Sequence, residues 1–340
     1  MKVTFVRGSY LNMFEGQNYE ILQRDISLLG IGSVRTLHAS FPFPVVRLPS
    51  LADISFPRWV ANRTLGDRQN LWGLSRVVQD ADIVHTADPH YYYSFQLAKM
   101  RRKGMIRKLI ATSWETIPFN NESTAAKRRI KQFTMQYVDH YLCHTNKAKT
   151  SLMKEGVHAR NITVLPLGVD LSRFSTKPTR SRAKKLHILS AGRNVPEKGI
   201  NDYRQLQRRI PSATFLRVSD APYQEMPLWY QDADVFLHLS RSTPTWEEQY
   251  GMVLVEAMAS GLPIIAYRTG AVEEVVGNAG ILAAEGDIDE LYRAVRTLQT
   301  DRKRYEVLRD NARRRAKQRY DRNVFARSLL RLYQKNRYTS

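Results

Sequence analysis

Two glutamates eight residues apart frame the part of this chain best equipped for chemistry. In WEEQYGMVLVEAMASGLP, residues 246–263, Glu248 precedes Gly251 and Glu256 follows it inside an apolar run. A helix is predicted from Met252 to Ser260, opened by Gly251 and stopped by Gly261 and Pro263. The first-turn N–H groups of a helix have no partner within it, so the backbone from Gly251 to Val253 can hold phosphate or sugar oxygens. Glu256 lies about one turn in, among Met252, Val253, Leu254, Val255, Ala257 and Met258. A carboxylate in such surroundings must be paired or must bind hydroxyls, and the vicinal hydroxyls of a ribose suit its two oxygens. A structural ion pair with a neighbouring basic side chain is the alternative.

A second stretch, HILSAGRNVPEKGI (187–200), brings cations to a turn. Leu186–Leu189 reads as a strand, and Gly192 lets the chain turn closely at its C-terminal end, the edge where open α/β sheets bind ligands. Arg193 offers a planar fork and Lys198 a point charge near the start of the next predicted helix, a pairing suited to a diphosphate. Two solvated cations in a basic protein would look the same in the sequence. Asp232 and Asp234 match the metal-binding pattern D-x-D but lead into a strand instead of ending one, so they read as a helix end and a strand start.

The elements that must position these groups alternate. Strands are predicted at Val3–Val6, Ser33–Leu37, Ile83–His85, Lys108–Thr112, His140–Cys143 and Ile162–Leu165. A second series falls at Leu186–Ala191, Ala213–Val218, Val235–Leu239, Pro263–Tyr267 and Ile281–Leu282. Helical patterns fall between, among them the apolar stripe Ile130, Phe133, Tyr137, Val138, Tyr141. Strands alternating with helices indicate parallel sheets covered on both faces. Residues 175–185 are polar, basic and aperiodic and read as a linker. Two helical patterns close the chain, at 302–319 and 322–335, with Asp321 placed to cap the second.

The 340 residues suffice for two domains, and 43% hydrophobic with 25% charged residues is a globular composition. The lone Cys143 excludes an intrachain disulfide and a multi-cysteine metal site, and fits a reducing cytoplasm. No run is long enough to span a bilayer, and the N-terminus does not read as a signal peptide. The formal charge of +21 is spread over the chain: residues 1–170 carry 23 Lys+Arg against 13 Asp+Glu, and residues 171–340 carry 30 against 19. Such a surface attracts polyanions, whether nucleic acid, anionic lipid or phosphorylated substrate. Residues 57–78 interleave Arg58, Arg63, Arg68 and Arg76 with Trp59, Leu65, Leu71, Trp72 and Leu74, a pattern suited either to an anionic membrane surface or to an ordinary helix packed on a sheet.

The stretch around Glu248 and Glu256 resembles the E-x7-E motif of the retaining glycosyltransferases of family 4. VLPLGVDLSRF (164–174), SAGRNVPEKG (190–199), EMPLWYQDADVFLHLS (225–240) and YRTGAVEEVVGNAGILAA (267–284) are similar to further family segments, in order and at plausible spacing. The resemblance implies an α/β GT-B fold, two Rossmann-like domains with parallel sheets facing a central cleft. Residues 1–174 would form an acceptor-side domain and 175–320 a nucleotide-sugar-binding domain, with the 321–340 helix packing back toward the first. It further implies that Arg193 and Lys198 hold the donor diphosphate, Glu256 the ribose and Glu248 the transferred sugar. The backbone of Tyr250, Gly251, Met252 and Val253 would lie around them, with Gly270 and Glu274 in a positioning turn.

This chain departs from the family pattern in two places, one in each half. Where the family offers a histidine, LIATSWETIPF has Trp114 followed by Glu115, so Glu115 stands in as the candidate polar catalyst. His85 in DIVHTADPH, Trp114, and Gly8 just past the first predicted strand are cleft candidates. One strand–helix step is missing before the strand at Val235, which leaves Arg217–Tyr223 as an unusual base pocket. The expectation is a metal-independent, retaining transfer from a nucleoside diphosphate sugar to a membrane-presented or lipid-linked glycan. No cofactor is needed, and the protein would be cytoplasmic, attached peripherally at the inner face of the membrane. A nucleic-acid acceptor such as a modified DNA base, and a non-catalytic polyanion binder on the same fold, are the rival readings.

Overall fold

The computed structural model of the chain describes residues 1–54, 57–174 and 185–338. The chain divides into two compact units, residues 1–167 with 325–340, and residues 168–324. The linker expected at 175–185 falls, up to Lys184, outside the described residues.

Seven parallel strands make the sheet of the first unit among the described residues: β1 (Lys2–Gly8), β2 (Ser27–Ser33), β3 (Val45–Leu48), β4 (Ile83–Thr86), β5 (Leu109–Ser113), β6 (His140–Cys143) and β7 (Ile162–Val164). Their order is β3-β2-β1-β4-β5-β6-β7, so the winding reverses between β1 and β4. The expected strand at Ser33–Leu37 is displaced: β2 runs earlier, and β3 was not foreseen. The sequence SLLGIGS looks like a turn because of its glycines. Here Gly30 is used for proximity, since a Cβ on it would lie 2.8 Å from the Phe43 ring. The stripe from Ile130 to Tyr141 is corrected as well. The helix Ala125–Tyr137 ends before Val138, and Tyr141 belongs to β6. Within residues 57–78 the chain forms two short helices, Arg58–Thr64 and Leu74–Val78; Leu71 and Leu74 are buried in the core while Trp59 and Trp72 are exposed.

The second unit carries β8 (Leu186–Ala191), β9 (Ala213–Val218), β10 (Val235–His238), β11 (Ile264–Tyr267) and β12 (Gly280–Ala283), in the order β12-β11-β10-β8-β9. The strands expected in this half are found here within a residue or two. The single step through β9 leads to a short helix, Met226–Asp232, whose end at Asp232 and the start of β10 at Val235 give Asp232 and Asp234 their expected places. Asp234 accepts the His187 N–H at 2.8 Å, which ties it to β8. Where the chain enters and leaves this unit its two segments pair in parallel through Val169 and Asp321. Helices Arg302–Arg319 and Arg322–Tyr338 close the fold, and Asp321 caps the second by accepting the Asn323 N–H at 2.8 Å. Among the described residues no helix is long and apolar enough to cross a membrane.

Candidate functional site

In the second sheet the winding reverses between β8 and β10, whose C-terminal ends lie side by side with Phe236 opposite Leu189. Loops leaving adjacent strand ends at such a reversal diverge and open a crevice, the usual ligand site of this architecture. The loop after β8 supplies Lys198 and the loop after β10 supplies Glu248. Their meeting depends on Gly199, at φ +66°, where a Cβ would lie 2.1 Å from the Leu239 carbonyl oxygen. Only glycine tolerates both the dihedral and that approach.

Lys198 Nζ donates to Glu248 Oε2 at 2.6 Å, and the same oxygen accepts from Ser240 Oγ at 2.8 Å and from the His238 ring at 3.0 Å. Trp246 covers the ammonium, its ring centroid 4.9 Å from Nζ. Burial by itself would raise the Glu248 carboxyl. The His238 hydrogen bond and the charges of His238 and Lys198 outweigh it and hold the group well below the usual carboxylate range. Glu248 is therefore a buried, ionised carboxylate.

The surrounding loops fix this carboxylate. Arg241 forks onto Asp202 at 2.6 and 2.9 Å, while its N–H donates to the Glu197 carbonyl at 2.8 Å, fastening the Glu248 loop to the Lys198 loop. On the other side the Ala271 N–H donates to the Glu248 carbonyl at 2.8 Å. Gly270 makes that contact possible, because at φ +54° a Cβ would sit 2.0 Å from the same carbonyl oxygen.

The helix Met252–Ala259 follows from Gly251, close to the predicted span, and ends before Gly261. It is buried from Leu254 to Ala259, which takes Glu256 to 2% exposure. Tyr230 Oη donates to Glu256 Oε2 at 2.8 Å. Burial pushes the Glu256 carboxyl up to about 7, against that hydrogen bond and the charge of Arg173. Arg173 in turn lies over the Tyr223 ring at 4.0 Å and donates to the Tyr223 carbonyl at 2.8 Å. An acid, two phenols and a guanidinium thus gather around the helix that follows Gly251. Tyr250 is buried, edge-on to Tyr320, and Met252 and Val253 stand half-buried in the first turn. Arg193 is exposed, its carbonyl accepting from Arg217 at 3.1 Å. Arg217 also bonds Asn194 Oδ1 and Ser190 Oγ at 2.9 and 3.0 Å, so this member of the expected base pocket braces the turn after β8.

The sequence matches Glycosyltransferase Family 4 over residues 33–173 and Glycosyl transferases group 1 over residues 205–315. WcaL of Escherichia coli K12, a glycosyltransferase named for colanic acid biosynthesis, is 30% identical over 278 residues, covering 70% of this chain and 67% of WcaL. The chain belongs to glycosyltransferase family 4.

This family 4 chain is also 29% identical over 181 residues to the GDP-mannose-dependent alpha-(1-6)-phosphatidylinositol monomannoside mannosyltransferase of Mycolicibacterium smegmatis, covering 41% of the chain and 47% of that enzyme. It spans between a third and a half of the length of the first two curated relatives it matches. Among solved structures, Anabaena Alr3699/HepE in complex with UDP and glucose aligns with a TM-score of 0.77 at 17% identity, over 98% of this chain and 100% of that one. The likeness establishes the fold as GT-B, built of two Rossmann-like units.

In the first unit of this family 4 chain the remaining candidates occupy separate places. His85 is wholly buried in β4, its Nδ1 2.6 Å from Tyr333 Oη and its Nε2 2.7 Å from Thr112 Oγ1. Burial and then the charge of Arg7 push its basicity well down. Arg7 forks onto the buried Glu15 at 2.7 and 2.9 Å. Glu115 accepts from the Ile117 N–H at 3.0 Å and from Asn120 and Asn121 at 2.9 Å each, which commits both oxygens to its own loop. Trp114 packs against His144 with ring centroids 4.1 Å apart and the planes tilted by 55°. Gly8 ends β1 at φ +55°, against Gln69 and Tyr93.

Sequence reading missed His238, Ser240, Tyr230 and Asp88. The first two were visible as polar residues at the end of an apolar strand, where ligands gather. Asp88 lies just past the end of β4, accepting from Ser113 Oγ at 2.9 Å and the Trp114 N–H at 3.0 Å. Burial, and then the charge of Glu115, push it up to about 7.

Proposed function

We propose that this glycosyltransferase moves a sugar from a nucleoside diphosphate sugar to an acceptor hydroxyl with retention at the anomeric carbon. The observation that carries the reading is the Lys198–Glu248 contact at the β8–β10 reversal, with Glu256 buried eight residues further on. In this account Lys198, Arg193 and the first-turn amides of Met252 and Val253 take the diphosphate, Glu256 the ribose hydroxyls and Glu248 the sugar. The anomeric C–O bond to the diphosphate breaks toward an oxocarbenium-like state, and the cations stabilise the charge that collects on the leaving group. The departing phosphate oxygen then accepts the acceptor's proton on the same face. Glu115, tied to its loop, serves in positioning.

The acceptor we propose is a membrane-presented or lipid-linked glycan. Support comes from the mannosyltransferase relative named for a phosphatidylinositol mannoside and from Trp59 and Trp72, 68% and 48% exposed in an arginine-rich stretch. Retention is testable with water as the acceptor. An α-linked nucleotide sugar should release the α-anomer first, seen by proton NMR before mutarotation. First release of the β-anomer would overturn the mechanism.

A further inference from the structure

Among the described residues the side chain of Glu248 is held through one of its two carboxylate oxygens. Oε2 receives Lys198, Ser240 and His238, while Oε1 receives no protein hydrogen bond among the described residues. Lys198 has a conflict of duty, since an ammonium that meets a diphosphate must turn at least partly away from the carboxylate. Its long flexible stem permits that motion. His238 and Ser240 are differently placed. Both are buried, and His238 is the last residue of β10, a central strand bonded to β8 and β11, so its ring has a fixed origin.

We propose that His238, seconded by Ser240, is a positioning residue. It keeps the Glu248 carboxylate in place, with Oε1 presented to substrate, once Lys198 transfers its contact to the donor diphosphate. The Lys198–Glu248 pair is then a resting state: Glu248 acts as the internal counter-anion of the phosphate-binding lysine, and donor binding exchanges one anion for the other. The catalytic consequence rests on the donor reading above; the structural hold on Glu248 does not.

His238→Leu and His238→Gln separate hydrogen bonding from packing, because Gln Nε2 can donate where the imidazole Nε2 does. Crystal structures of both variants should show the Glu248 carboxylate turned away in the leucine protein and retained in the glutamine one. With UDP-glucose and UDP as probes and water as the acceptor, His238→Leu should lose roughly 10- to 100-fold in kcat, as a displaced catalytic group does. Its KM for UDP-glucose and its Kd for UDP should stay within about twofold, and His238→Gln should recover most of the loss. An unmoved Glu248 in the leucine variant, or equal loss in both variants, would overturn the proposal. If wild-type protein binds neither probe, the donor reading is contradicted for uridine nucleotides, while the crystallographic comparison still decides what holds Glu248.

Discussion

Lys198 Nζ stands 2.6 Å from Glu248 Oε2 although fifty residues separate the two along the chain. Neither the ion pair nor its burial is a local property; both follow from β8 and β10 lying side by side where the sheet reverses. A charge-assisted contact in such a place is strong, and it is also the contact a diphosphate would compete for. Lys198→Ala should therefore lower turnover of a nucleotide sugar by roughly 100- to 1000-fold, the range for losing one preorganised donor to a leaving group. Steady-state kinetics on the purified variant checks this, and turnover within a few fold of wild type would remove Lys198 from the diphosphate.

Glu256 makes stability depend on pH. Burial pushes its carboxyl from the ordinary 4.5 up to about 7, so folding favours the protonated form. That contribution is complete below the unfolded value and is lost as pH rises through the folded one. The loss spans pH 4.5 to 7 and amounts to at most about 3 kcal/mol. Asp88 titrates in the same window, so the test is a difference. In urea unfolding between pH 4 and pH 8, Glu256→Gln should lose less stability than wild type. Parallel curves would mean that Glu256 is ionised as readily folded as unfolded.

Gly270 supports Glu248 through the main chain. Its φ of +54° and the 2.0 Å a Cβ would leave to the Glu248 carbonyl predict that Gly270→Ala costs about 2–4 kcal/mol and impairs turnover together with it. Thermal unfolding with kinetics reads both. An active, equally stable alanine variant would show that this loop is not the clamp described.

The buried fork of Arg7 on Glu15 holds the first unit's polar interior, with Thr112 at 3.0 Å from the same guanidinium. Arg7→Met strands Glu15 as an unpaired buried charge and should cost roughly 3–5 kcal/mol, while Arg7→Met with Glu15→Leu should recover much of it. Equal destabilisation of single and double variants in urea melts would contradict a penalty arising from the stranded charge.

These residues also mark how much the sequence could disclose. Glu248, Lys198 and Glu256 were legible because a helix start, a glycine turn and apolar neighbours are local patterns, and the second half's strands are short apolar runs between clear turns. The contacts of His238, Ser240 and Tyr230 were not, even though the first two stand out as polar residues at a strand end, because they arise from strand adjacency and from the approach of the Met226–Asp232 helix to Glu256, which no spacing along the chain encodes. The displacement of β2 has the same origin: Gly30 serves the approach of Phe43, a tertiary demand that overrides the usual reading of glycine as a break. His85 was legible only as a strand-end polar residue; its partner Tyr333 lies 248 residues away.

The central claim is that residues 168–324 hold a nucleoside diphosphate through Lys198 and Glu256. Thermal unfolding of wild type and Glu256→Ala with UDP, GDP and ADP tests it most directly, since a ligand at a hundred times its Kd adds about 2.7 kcal/mol of stability. The account predicts that one nucleotide raises the wild-type melting temperature and leaves the variant's unchanged. No shift with any of the three, or the same shift in both proteins, would contradict it.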